Sequence, residues 1–277
     1  MSPATRRAPA VLLAGALVAV LALAGWLIGV AAGSTNEQAQ GRCTISGTPY
    51  SFDTAQAANA ATIAAVGRER GIGDRGITIA LATALQESKL RNLDYGDRDS
   101  LGLFQQRPSQ GWGTPEQVQD PRYAATAFYD EMLTVPDWEQ GRLTDVAQAV
   151  QRSGFPEAYQ QWESDAQALT GALGGQVAAL SCRIPDDALP AELAPDATAE
   201  VLAAVDADLS PEIVSATADG VALAAGTTPW ITASWLVAHA ERLGIFAVGH
   251  GGQRWTPDGG WQPDAGVGSD LVTAELA

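Results

Sequence analysis

The chain has 277 residues, a net charge of −16, 46% hydrophobic residues and only two cysteines. That length and composition fit one or two globular domains and exclude a disordered chain. Without a basic stripe to neutralise phosphates, the acidic balance argues against nucleic acid as a partner.

Arg6 and Arg7 precede an uncharged run from Ala8 to Asn36, and Val11 to Ala32 is nearly all apolar. As a helix, that apolar stretch rises about 33 Å, enough to cross a hydrocarbon core. The two arginines favour an inside N-terminus. We expect a cytoplasmic tail at 1–8, a transmembrane signal anchor at 9–33 and the rest of the chain outside the cell membrane. Val30-Ala31-Ala32 offers a rival reading as a signal-peptide cleavage site, after which the protein is secreted. The apolar region is longer than a signal peptide usually carries, which favours the anchor.

Residues 34–49 read as a polar spacer containing Cys43, and the other cysteine is Cys182. Two cysteines in an exported chain read as one disulfide, with a pair of buried thiols as the alternative.

From residue 53 to 182 helical signals dominate. Thr54 to Glu69 is alanine-rich with helical spacing, and Gly71 to Gly73 interrupts it. Asp74 suits the N-cap of the next helix, in which Ile77, Ala80, Leu81 and Ala84 keep i, i+3, i+4, i+7 spacing up to Glu87-Ser88. Further helices are expected from Pro121 to about Leu133, from Leu143 to Gln151 and from Phe155-Pro156 to about Leu173. A hairpin across Asp94 to Leu103 is the one strand signal here.

Glu87 stands where the apolar face ends. A carboxyl there is partly desolvated, which raises its pKa and keeps a proton available for a leaving oxygen. Taken alone, it also reads as a solvated glutamate in the last turn of an ordinary helix. Some fifteen residues later comes Gly102-Leu103-Phe104-Gln105. The pairing of Glu87-Ser88 with this second motif resembles the soluble lytic transglycosylase family of the lysozyme-like superfamily, across residues 50–182.

The resemblance implies that Glu87 is the general acid and base, and that Gln105 lines a sugar cleft. It also implies peptidoglycan glycan strands as substrate, cut between N-acetylmuramic acid and N-acetylglucosamine. Ser88, Gln106, Trp112, Tyr95 and Tyr159 join the expected substrate-binding set. Trp112, between Gly111 and Gly113, suits an exposed platform, whereas core packing is the stronger reading for Phe104. The family's late Ala-Tyr-Asn stretch has its best counterpart in Ala149-Val150-Gln151, so the tyrosine and asparagine are replaced. Tyr159 is the nearby candidate for a hydroxyl. Asp94, Asp97 and Asp99 compete for the role of a second carboxylate, with turn chemistry as their alternative.

Residues 183–228, with recurring prolines, alanines and acids, read as a linker region that includes a helix at Ala197 to Asp206. The chain from Arg183 onward carries 14 acids against 3 arginines. Residues 229–277 read as a small α+β domain: a helix from Pro229 to Leu243, a strand at Ile245 to Val248, turns at Gly251-Gly252 and Asp258 to Gly260, and a last strand within Val267 to Leu276. Its four tryptophans suit core or hairpin positions better than glycan contacts. His239 and His250 are the only histidines, and with both cysteines in a bridge no zinc or copper spacing remains. No metal and no cofactor are expected.

The expected fold is therefore mainly α: a lysozyme-like helical domain preceded by one transmembrane helix and followed by a small α+β domain. The expected protein is a membrane-anchored peptidoglycan lytic enzyme, a lytic transglycosylase or a muramidase. Its C-terminal domain is free to bind an envelope protein. The alternative is a non-catalytic glycan-binding or envelope scaffold protein.

Overall fold

The computed structural model of the chain describes residues 41–190, 192 and 194–276. Gly41 to Ala277 form one compact unit. Of the described residues, 44% are helical and 18% lie in strands, arranged in two antiparallel sheets of three and six strands. This corrects the mainly α expectation to α+β. Among the described residues no helix is long and apolar enough to cross a membrane. The span expected at 9–33 lies outside the described residues.

The helical half is built around α2 (Asp74–Ser88), which follows α1 (Thr54–Glu69). The expected apolar stripe of α2 is wider than its spacing suggests: every residue from Gly76 to Leu85 is buried. A helix that is buried on all sides belongs inside a core, and only its two ends reach the surface. Asp74 is the first helical residue and not the cap. Gly73 occupies the N-cap without a side-chain bond, while Asp74 adds negative charge to the first turn. Lys89 ends the helix at φ 57°, in the left-handed conformation.

Around α2 stand α1, α4 (Pro121–Met132), α5 (Leu143–Gln151) and α6 (Glu163–Leu173), with the short α3 (Pro115–Val118) packed on α4. Asp120 caps α4 by accepting the Tyr123 amide at 2.8 Å. The helix expected from Phe155 starts later, since residues 160–162 form only a 3₁₀ turn before α6. The hairpin expected at 94–103 is reduced to one isolated bridge between Leu101 and Gln106.

The spacer carries a strand, β1 (Arg42–Ile45), which pairs with β2 (Ser51–Asp53) and β3 (Leu180–Arg183). Cys43 and Cys182 face each other across β1 and β3 and form a disulfide.

The region read as a linker holds α7 (Ala197–Leu209), β4 (Ile213–Thr217) and β5 (Gly220–Ala224). These join α8 (Pro229–Ala238), α9 (Ala240–Leu243), β6 (Ile245–His250), β7 (Gln253–Thr256), β8 (Gly260–Pro263) and β9 (Leu271–Leu276). The sheet order is β4-β5-β9-β6-β7-β8, so the six-stranded sheet begins well before residue 229. Gly251 and Gly252 turn β6 into β7 at φ 59° and 75°, a conformation glycine adopts without cost.

The two halves share hydrogen bonds. The Trp255 indole donates to the Cys182 carbonyl at 3.1 Å, and Trp261 to that of Leu180 at 2.8 Å. Asp208 on α7 is buried, accepts from Trp235 Nε1 at 2.7 Å and pairs with Arg122 of α4.

Candidate active site

Glu87 projects from the last turn of α2 into a cleft of about 1300 Å³. The loop after α2 supplies Asp97, Arg98, Ser100, Gln105 and Arg107, and the following turn supplies Trp112. Helix α4 adds Tyr123, Asp130 and Glu131, and the end of α5 adds Gln151 with Ser153 and Gly154 beyond it. Glu87 thus shares a wide polar groove with three further carboxylates, Asp97, Asp130 and Glu131.

The carboxyl is half-buried. Tyr159 Oη donates to Glu87 Oε1 at 2.6 Å. Desolvation raises the Glu87 pKa, and hydrogen bonds from Tyr159 and Gln151 pull it partway back by stabilising the charged form. Burial and the neighbouring Glu87 charge raise the Tyr159 phenol in turn, so it remains a donor. Tyr159 is itself fully buried, which fixes its hydroxyl against the acid.

The loop beside Glu87 is held by its carbonyls. Ser88 Oγ lies 2.8 Å from Leu103 O, and Gln151 Nε2 donates to Phe104 O at 2.7 Å. Phe104 is buried and stacks on Phe128 with ring centroids 4.7 Å apart. Gly102 sits at φ 76°, and a Cβ there would strike the Val118 carbonyl. The Gly-Leu-Phe-Gln motif is therefore a tight turn that presents Gln105, itself at φ 47°, to the cleft.

The expected substrate residues divide. Gln105 and Trp112 line the cleft, and Tyr159 reaches Glu87 from beneath. Ser88 is buried and braces the loop instead of facing the groove. Gln106 is buried too, donating to Ala124 O at 3.0 Å. Tyr95 is 68% exposed and stands outside the cleft lining. Of the aspartates, Asp97 lines the cleft. Asp99 accepts from Ser109 N at 2.7 Å and Arg107 Nε at 2.9 Å, bonds that hold its carboxyl well below the usual range. Asp99 thus performs turn chemistry.

Asp130, Glu131 and Arg152 are cleft residues that sequence reasoning missed. Arg152 Nη2 pairs with Glu131 Oε1 at 3.1 Å across the groove lining. Helical spacing places Asp130 and Glu131 on the outer side of α4, where solvation is the default reading. Among the described residues no cluster of three His, Cys, Asp or Glu side chains could hold a metal.

Fold and site together define a class: a disulfide-linked α+β protein with a half-buried glutamate, held by a buried tyrosine, over a polar cleft. No family model matches this chain, and no curated protein matches it.

Proposed function

We propose that the protein is an extracytoplasmic enzyme that cleaves peptidoglycan glycan strands between N-acetylmuramic acid and N-acetylglucosamine, with Glu87 as general acid and base. The observation that carries this reading is the Glu87 carboxyl, whose pKa burial raises while it faces a cleft of about 1300 Å³. The disulfide fits an oxidising compartment. The N-terminal apolar stretch of the sequence fits export.

The likeness of Glu87-Ser88 and Gly102 to Gln105 to the lytic transglycosylases supplies the finer reaction. Glu87 gives its proton to the glycosidic oxygen as the bond to C1 breaks. The oxygen of the sugar's own N-acetyl group closes on C1. Glu87, now a carboxylate, takes the proton of the 6-hydroxyl as that oxygen displaces the acetamide from C1, leaving a 1,6-anhydro ring. No second carboxylate is needed. Tyr159 steadies the carboxylate between the two proton transfers, a task for which Val150 has no hydroxyl.

The test incubates the full chain and Glu87→Gln with purified peptidoglycan and weighs the released fragments. The reading expects anhydro ends from the wild type and a loss of at least about a hundredfold in rate for the variant. Reducing ends that depend on Glu87 would indicate hydrolysis. The replaced Tyr-Asn pair favours one rival, a glycan-binding module without catalysis; sedimentation with peptidoglycan and no product would establish it.

A further inference from the structure

Two large aromatic side chains stand out in water beside the cleft. Phe155 is 78% exposed and Tyr95 is 68% exposed, the highest values among the large hydrophobic residues described. Neither lines the cleft itself, but their loop neighbours do: Ser153 and Gly154 on one loop, Asp97 and Arg98 on the other.

The Phe155 loop is held firmly. Gln148 Nε2 donates to Ser153 O at 2.9 Å, and Ser153 Oγ lies 3.0 Å from Gln148 Oε1. Phe155 N donates to Ser153 Oγ at 3.2 Å, Thr144 Oγ1 donates to Pro156 O, and Arg142 pairs with Glu157 at 2.8 Å. A loop pinned on both sides of a phenylalanine, with the ring turned outward, gives up apolar burial that a relaxed loop would recover. A pre-organised aromatic is instead ready to bury its face against a ligand at little entropic cost. The Tyr95 loop is tied down as well, by Asn92 Nδ2 to Gln119 O at 2.7 Å and by Gln105 Nε2 to Tyr95 O at 3.3 Å.

We infer that Phe155 and Tyr95 are outer sugar contacts that grip a glycan strand where it leaves the cleft, so that the site selects for strand length. The inference rests on the glycan reading of the Glu87 cleft. The argument for a polysaccharide occupant is continuity: both loops border the cleft, which is polar, and pyranose rings offer axial C–H faces that pack on aromatic rings. A ligand confined to the cleft would not reach either ring.

The test uses the full chain carrying Glu87→Gln, so that bound ligand is not consumed. Binding is measured by calorimetry for peptide-free glycan strands of at least six sugars and for the corresponding disaccharide. Phe155→Ala should weaken strand binding about tenfold and Tyr95→Ala by a smaller factor, with disaccharide binding unchanged. Phe155→Trp should restore strand binding. If Phe155→Ala and Tyr95→Ala bind strands as tightly as the parent, the outer contacts are overturned while the cleft stands. If the parent binds no strand at all, the glycan reading falls and this inference with it.

Discussion

The Glu87 carboxyl is set by two opposed effects, and their balance predicts a pH profile. Burial favours the protonated form; the Tyr159 and Gln151 hydrogen bonds favour the charged form, and burial wins. Because the proposed first step needs the protonated acid, activity should persist above the ordinary glutamate range of about 4.3 before it falls. Tyr159→Phe removes a bond that stabilises the carboxylate. The remaining pKa should rise, and the alkaline limb of the rate profile should move to higher pH while the maximal rate drops. A limb that moves to lower pH would contradict this assignment. The position of Glu87 was legible in the sequence because an apolar run ends on it. The bracing role of Ser88 and the pairing of Gln151 with Phe104 O were not, because each depends on a partner 15 or 47 residues away.

At the scale of elements, the disulfide joins two short strands 139 residues apart in sequence. The bridge lies buried between β1 and β3, and β1 is also the only described strand that joins β2 to β3. Replacing both cysteines with alanine should cost about 2–5 kcal/mol, read as a lowered midpoint in urea unfolding. An unchanged midpoint would remove the bridge from the account. Sequence reasoning found the helices and the glycine turns of the second half because their signals are local. It missed β1, β2 and β3, which span three or four residues each, too few to show a period of two. It missed β4 for a different reason: all five of its residues are exposed, so no alternation marks it. It missed β5 as well, whose burial alternates while its sequence Gly-Val-Ala-Leu-Ala holds no polar residue to show it, and the two omissions concealed how early the larger sheet begins.

Across the whole molecule, the tryptophans expected in core or hairpin positions also join the halves. Trp255 and Trp261 donate to backbone carbonyls of β3, and Trp235 shares Asp208 with Arg122. Breaking a buried, hydrogen-bonded carboxylate network is costly, so the halves should not separate cheaply. The described unit is expected to unfold in one transition, with tryptophan fluorescence and far-ultraviolet dichroism superimposing. Two resolved transitions would show independent domains. Such rigidity serves the cleft, since α7 and α8 pack on α1, which packs on α2, and Arg122 of α4 pairs with Asp208 of α7.

Everything proposed for the cleft requires Glu87 to hold its proton longer than a solvated glutamate does. The most direct measurement is a carbon NMR titration of the Glu87 carboxyl in the intact protein, assigned by its loss in Glu87→Gln. The account predicts a midpoint clearly above the ordinary value of about 4.3, rising further in Tyr159→Phe. A midpoint at or below that value would contradict it.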